Sequence, residues 1–152
     1  SILSSVLSEK GGVKTKFLEM ALSPLQDHCN DRARAIAENI EVQFIVDGKG
    51  VVQLLAKTDP KKGFVLASAL SSGEKAIVLF LLMDMLNALS GYRILLMDGL
   101  DTLDNSAFKR LVGCISKEEV IETYDHIFLA MVNHPNLVKT LDENPMINKI
   151  CM

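Results

Sequence analysis

Two short apolar runs, each ended by polar side chains, constrain the fold of this chain more than any other feature. The first is Arg93-Ile94-Leu95-Leu96-Met97, which stops at Asp98. The second covers residues 126–132 and is followed by Asn133-His134-Pro135. Strands that are apolar without alternation are typical of parallel sheets covered on both faces, and parallel strands need a crossover between them. The sequence therefore predicts an α/β fold with a right-handed strand–helix–strand unit.

Helical periodicity fills much of the remaining chain. The predicted helices cover residues 13–40, 73–89, 106–116 and 136–142, with one or two further turns over 118–123. Ser23-Pro24 is expected to restart the first helix, with serine as N-cap and proline at the first helical position. An antiparallel hairpin is predicted over residues 41–56 around the turn Asp47-Gly48-Lys49-Gly50, with short strands over 64–66 and 146–151.

The composition limits the class of protein. With 152 residues, 49% hydrophobic and 23% charged, the chain fits one packed domain and is not disordered. A net charge of −3 provides no basic field for a nucleic-acid backbone. Three scattered cysteines, Cys29, Cys114 and Cys151, indicate reduced thiols and a cytoplasmic protein. The longest apolar run, residues 76–83, is too short to cross a bilayer, so no membrane partner is expected. The missing initiator methionine suggests a fragment.

A candidate anion site lies where the helix over 73–89 begins. The stretch is Leu70-Ser71-Ser72-Gly73-Glu74-Lys75, with two hydroxyls and a glycine amide. The first N–H groups of a helix have no intrahelical partner and the helix dipole is positive there, so this position favours a phosphate. The alternative is that Ser71 or Ser72 only caps the helix.

A candidate metal site lies where the first apolar strand ends. A carboxylate at this end of a buried strand faces the crevice in which α/β proteins bind ligands, so Asp98 could hold Mg²⁺ beside a nucleotide phosphate. Alternatively Asp98 is a solvated turn residue. Asp101 and Asp104 complete a small acidic cluster, and Asp104 is alternatively only the N-cap of the next helix.

His134 ends the second apolar strand and is expected at the same sheet edge as Asp98. An imidazole there could hydrogen-bond a phosphoryl oxygen or an attacking water. The alternative is a structural histidine, which is how His28 and His126 are interpreted.

Together these stretches resemble the C-terminal half of an ABC-type ATPase head of the SMC/SbcC/RecF class, the coiled-coil ATPases of DNA repair and chromosome maintenance. The stretch 70–75 resembles the ABC signature motif and 93–98 the Walker B strand. Leu103-Asp104 resembles the D-loop, and His134 the switch histidine. Residues 12–33 are similar to the segment where the coiled coil re-enters the head, and the resemblance covers residues 12–150. It implies a helical segment at the base of a coiled coil over 1–40 and the C-terminal lobe of the head over 41–152.

The resemblance also implies roles for the candidate residues. Ser71 and Gly73 would contact the γ-phosphate of ATP held on a second head, with Ser72 in the same ATP-binding stretch. Asp98 would support Mg²⁺, Asp104 would bridge the two heads, and His134 would sense the γ-phosphate. ATP would hold the heads together until hydrolysis releases them. DNA and a nuclease subunit would be partners of other parts of the full protein.

The chain departs from the family pattern at two places. No G-x-x-x-x-G-K-[ST] motif occurs; Gly11-Gly12-Val13-Lys14-Thr15 lacks the glycine before lysine and follows no strand. Binding of ATP is therefore expected to need a separate N-terminal lobe that carries the P-loop. Gly99 stands where the family usually has the glutamate that serves as general base, and the stretch to Asp104 is one residue shorter than usual. Asp101 is the candidate substitute, and we expect slow hydrolysis.

Two other functions stay open from the sequence. The chain could be a dimerisation module of the same fold that has lost the chemistry, as Gly99 suggests. It could also be a regulatory α/β domain with Asp98 as phosphoacceptor, although the acidic pair that such a domain needs for magnesium is missing near the N-terminus.

Overall fold

The computed structural model describes residues 12–36 and 38–131, together with 139 and 142. The chain divides into two compact units between Leu70 and Ser71. The domain organisation expected from the sequence, residues 1–40 and 41–152, stays a prediction.

In its described residues, 12–36 and 38–70, the first unit contains one long helix and a three-stranded antiparallel sheet. Helix α1 spans Val13–Ala35, and it is followed by β1 (Glu41–Val46), β2 (Val52–Lys57), β3 (Val65–Leu66) and a short 3-10 helix, Ala67–Ala69. The sheet order is β1-β2-β3. In the turn between β1 and β2, Asp47 Oδ1 accepts from the N–H groups of Lys49 and Val51 at 2.8 and 2.9 Å. The predicted hairpin is confirmed.

The predicted restart of the first helix at Ser23-Pro24 is wrong, because α1 runs through Pro24 without interruption. Proline cannot donate a hydrogen bond to the carbonyl of Met20. Pro24 is exposed and Met20 is 67% exposed, so water can bond to this carbonyl. The helix tolerates the proline on its solvent side.

The predicted apolar stripe of α1 is buried only in its second half. Cys29 and Ala33 are buried, whereas Phe17 and Met20 are 75% and 67% exposed. The helix also ends at Ala35 rather than at residue 40. The first turns of α1 therefore present apolar side chains to solvent.

Helix α1 protects the outer edge of β1 through side-chain amides. Asn30 Nδ2 donates to the Val42 carbonyl at 3.0 Å, and Asn30 Oδ1 accepts from the Val42 N–H at 2.8 Å. Gln26 Oε1 accepts from the Phe44 N–H at 3.0 Å. Gln26 and Asn30 are one helical turn apart, and their partners Phe44 and Val42 are two positions apart in the strand. The spacing along the helix therefore matches the spacing along the strand. The amides therefore replace a neighbouring strand at this edge.

Over residues 71–131, the second unit contains two parallel strands and three α-helices. Helix α2 spans Ser72–Ser90 and β4 spans Ile94–Met97; a 3-10 turn (Leu100–Thr102), α3 (Asn105–Ile115), α4 (Glu118–Ile121) and β5 (His126–Leu129) follow. Strands β4 and β5 pair in parallel, with Ile94 opposite His126 and Met97 opposite Leu129. Gly91 ends α2 with a left-handed backbone. The predicted α/β fold class, a parallel sheet with flanking helices and an antiparallel hairpin, is confirmed.

One face of the parallel sheet is uncovered in the described part of the chain. Leu95 and Met97 are buried, whereas Ile94, Leu96 and Phe128 are 50%, 57% and 48% exposed. In α2, which was expected to be buried on most sides, a stripe is also exposed. It consists of Leu79, Leu86 and Leu89. Sequence reasoning predicted strands covered on both faces, and the described residues cover only one.

The remaining predicted elements have mixed outcomes. Strand β5 ends at Leu129 rather than at residue 132. The strand predicted over 146–151 lies outside the described residues. So does the helix predicted over 136–142, except for Lys139 and Asp142. No helix in the described ranges is long and apolar enough to span a bilayer.

We predict that Asn30→Ala lowers the free energy of unfolding by about 1–3 kcal/mol, because it leaves the part-buried N–H and C=O of Val42 without these partners. Urea unfolding measures the loss. Asn39 is an exposed asparagine in the same unit, so Asn39→Ala should change stability by less than about 0.5 kcal/mol. Equal losses in the two variants would contradict the role of Asn30 at the sheet edge.

Candidate functional site

The start of α2 is closed by a capping box. Ser71 Oγ accepts from the Glu74 N–H at 3.4 Å, and Glu74 Oε2 accepts from the Ser71 N–H at 3.0 Å. Ser71 Oγ also donates to Glu74 Oε2 at 2.7 Å. Ser71 is therefore the N-cap of α2, and its phosphate contact stays a prediction. A carboxylate of the chain itself stands at the positive end of this helix.

Gly73 brings the starts of α2 and α3 into close contact. A Cβ atom at Gly73 would lie 2.7 Å from Ala107 Cβ and 3.5 Å from Ala107 Cα. Side chains do not approach that closely, so only glycine allows the two helices to meet here. Sequence reasoning assigned Gly73 to a phosphate contact and did not find this packing role. A signal was present, since Ala107 places a small residue in the first turn of the next helix.

Asp104 caps α3 at the same contact. Its Oδ1 accepts from the N–H of Ala107, the residue that faces Gly73, at 2.8 Å. Asp104 is therefore the N-cap of α3, and its contact with a second head stays a prediction. The two N-cap residues, Ser71 and Asp104, therefore flank one helix–helix contact, and both are exposed.

Asp98 follows β4 directly and is exposed. Its Oδ1 accepts from the Gly99 N–H at 2.7 Å. Gly99 has a left-handed backbone, with φ 72° and ψ 24°, and its carbonyl accepts from Thr102 Oγ1 at 3.0 Å. This loop leads from Asp98 to Asp104 through the 3-10 turn.

The carboxyl end of β4 and the N-terminus of α2 lie at the same end of the second unit. The Tyr92 N–H donates to the Asn87 carbonyl, and Asn87 Nδ2 donates to the Ile94 carbonyl, both at 3.1 Å. These bonds tie the end of α2 to the start of β4, so the other end of α2 lies toward the end of β4. The loop after β4 leads to Asp104 and α3, whose Ala107 contacts Gly73.

The other predicted site residues are only partly described. Ser72 is exposed in the first turn of α2. Asp101 lies in the 3-10 turn, but its side chain is outside the description, and His134 lies outside the described residues. Within those residues, no group of three or more His, Cys, Asp or Glu side chains could hold a metal ion.

Comparisons with known proteins identify the fold. No family model matches the chain, and no curated protein sequence matches it. One similar solved structure comes from work on the ATP-driven dimerization and DNA-stimulated activation of SMC ATPases. The similarity covers 84% of this chain and 78% of that chain, with 17% sequence identity and a TM-score of 0.59.

Two Smc heads bound to parts of ScpA are also similar. The head bound to the C-winged helix domain of ScpA matches 87% of this chain with 16% identity and a TM-score of 0.56. The head with an extended coiled coil, bound to the C-terminal domain of ScpA derived from Pyrococcus furiosus, matches 86% with 18% identity and a TM-score of 0.55. This chain spans only 41% and 33% of those two chains. It therefore has the fold of part of an SMC-type ABC ATPase head.

We predict that Gly73→Ala lowers the free energy of unfolding by about 1–3 kcal/mol, because the new methyl group would overlap the Ala107 methyl group. Gly113 in α3 has no atom within 4 Å of an added Cβ, so Gly113→Ala should stabilise by up to about 1 kcal/mol through helix propensity. Thermal and urea unfolding compare the two variants. Ala107→Gly should restore part of the stability in the Gly73→Ala background. If both alanine variants are stabilised, the close contact is refuted.

Proposed function

We propose that this chain is the C-terminal lobe of an ATPase head of the SMC/SbcC type, which binds ATP between two heads through the Ser71-Ser72-Gly73 stretch. The observation that carries the proposal is the close contact of Gly73 with Ala107, since it groups the two capped helix starts at the end of the sheet where Asp98 lies. The fold similarity to SMC heads supports the same class of protein.

The two helix starts provide favourable electrostatics for a triphosphate. Each helix dipole places partial positive charge at its start, and the carboxylates of Glu74 and Asp104 offset part of it. In the free chain the Ser71 hydroxyl already donates its hydrogen bond to Glu74 Oε2. Binding of a phosphate oxygen by Ser71 Oγ therefore requires Glu74 Oε2 to give up that hydrogen bond. The γ-phosphate of ATP on a second head would provide the replacement.

Asp98 is the residue that would hold Mg²⁺. Magnesium sites beside nucleotides commonly use one or two carboxylates, with phosphates and waters as the other ligands. An exposed carboxylate at the end of β4 fits this ligand set, and a group of three protein ligands is not needed. Asp104 is proposed to contact the second head, and His134 to sense the γ-phosphate.

The uncovered sheet face supports a separate N-terminal lobe that carries the P-loop. Ile94, Leu96 and Phe128 form a contiguous apolar surface on two paired strands. Parallel sheets are stable when both faces are covered. The N-terminal lobe would cover this face and bring its phosphate-binding loop next to Asp98.

The exposed start of α1 supports the coiled-coil assignment. Val13, Phe17 and Met20 recur at helical spacing and are 42%, 75% and 67% exposed. A second helix packed along this stripe would bury it, as the two strands of a coiled coil do. Contacts with a ScpA-like subunit, DNA or a nuclease would then belong to the assembled protein.

The loop after β4 supports slow hydrolysis. A glutamate in place of Gly99 would have to adopt a left-handed backbone, which L-residues other than asparagine and aspartate rarely do. The loop is thus built around glycine where a general base is expected. A dimerisation module that binds ATP with no significant hydrolysis is the second candidate, and the same backbone favours it.

We predict that Ser71→Asp weakens ATP-driven association of reconstituted heads at least tenfold while α2 stays folded. Aspartate caps helices as well as serine does, but its negative charge repels a phosphate. The chain would be purified with its N-terminal lobe, and the association constant measured by analytical ultracentrifugation with and without ATP and Mg²⁺. Ser71→Thr keeps the hydroxyl and should associate within a few-fold of wild type. Association of Ser71→Asp at the wild-type level would contradict the proposed ATP contact.

The rate of phosphate release from the same reconstituted head tests whether Asp101 is the general base. If Asp101 activates water, Asp101→Asn should reduce the already slow turnover by about 10²-fold or more, since an amide cannot accept the proton. Association with ATP should persist. Brisk turnover that the substitution leaves unchanged would refute the role of Asp101, and undetectable turnover in wild type would favour the dimerisation module.

A further inference from the structure

Asp84 is a carboxyl group placed in an apolar core. It is 1% exposed, the one buried charged side chain in the described part of the chain, and its neighbours along α2 include Phe80, Leu81 and Met85. A carboxyl group in such surroundings is unfavourable unless hydrogen bonds compensate for the lost water.

Tyr124 provides such a bond from another element. Its hydroxyl donates to Asp84 Oδ1 at 2.6 Å, and the tyrosine is 6% exposed. Tyr124 lies two residues before the start of β5, and the intervening Asp125 N–H donates to the Arg93 carbonyl at 2.8 Å. The Asp84–Tyr124 bond therefore joins the second half of α2 to the segment that begins β5.

Helix α2 is thus held near both ends. Asp84 is thirteen residues beyond Ser71 in the chain, which corresponds to roughly 20 Å along a helix axis. The contact between Gly73 and Ala107 holds the first turn. The Asp84–Tyr124 bond acts together with the Asn87 bonds to β4, so the later turns of α2 as well as its first turn are attached to other segments.

We propose that Asp84 and Tyr124 are positioning residues, whose hydrogen bond fixes the direction of α2 and so presents Ser71 to the nucleotide of the second head. This inference rests on the proposed ATP contact. Stability alone is a weak reason for a buried carboxyl group here, because replacement of buried polar groups by apolar groups of similar size is often neutral or stabilising. If residue 84 contributed only to the stability of the core, leucine would fill the position at least as well as aspartate.

The test separates positioning from stability. In the reconstituted head, the double variant Asp84→Leu with Tyr124→Phe should unfold at or above the wild-type temperature and yet show at least tenfold weaker ATP-driven association. Asp84→Asn keeps an oxygen that can accept from Tyr124 and should associate within twofold of wild type. Tyr92→Phe is the matched control, because Tyr92 is 70% exposed and is the other of the two tyrosines.

Each outcome decides the proposal. Wild-type association of the double variant refutes it, and so does a loss of association that merely parallels a loss of stability. If wild type itself does not associate with ATP, the proposed function fails, and hydrogen exchange then tests positioning alone. The Glu74 and Lys75 amides in the first turn of α2 should exchange at least tenfold faster in the double variant than in Asp84→Asn. Equal exchange refutes the positioning role.

Discussion

The contact between Gly73 and Ala107 determines the geometry of the candidate site. A missing side chain lets the first turns of α2 and α3 approach until a Cβ at Gly73 would be 2.7 Å from the alanine methyl group. At this separation the caps of both helices, Ser71 and Asp104, lie on either side of one contact. Any larger residue at position 73 would move one cap relative to the other. The requirement for glycine is therefore steric, and it acts between helices rather than within a turn.

The capping box at Ser71 changes how an anion site at this position must work. In the free chain Glu74 satisfies both the N–H and the hydroxyl of Ser71, so the positive end of the helix already has a carboxylate beside it. A phosphate arriving there competes with that carboxylate and with its negative charge. A ligand that a second protein surface also holds gains additional contacts with which to displace it. This competition favours a ligand shared between two molecules over one bound by this lobe alone.

The sequence was sufficient to predict most of the architecture, because periodicity is local. The hairpin, the helix over 73–89, the parallel strands and the capping alternatives for Ser71 and Asp104 all followed from short stretches. Pro24 was misjudged because its local preference for a helix start is weak compared with tertiary packing of the turns that follow. The contacts of Gly73 and Tyr124 could not be predicted, since each joins residues more than thirty positions apart. The roles of Asp98, Asp101 and His134 in chemistry stay predictions.

The uncovered sheet face connects folding to nucleotide binding. Strand β4 buries Leu95 and Met97 on the helical side and exposes Ile94 and Leu96 on the other, and the same strand ends at Asp98. A partner lobe that covers the exposed face must therefore approach the carboxyl end of β4, where a metal-bound phosphate would lie. Burial of apolar area is the main favourable contribution to such an association, and it is independent of ATP. It would assemble each head before the nucleotide arrives. Under the proposed function, the weaker, charge-dependent contacts at Ser71 and Asp104 would be left for an ATP-controlled association of two heads.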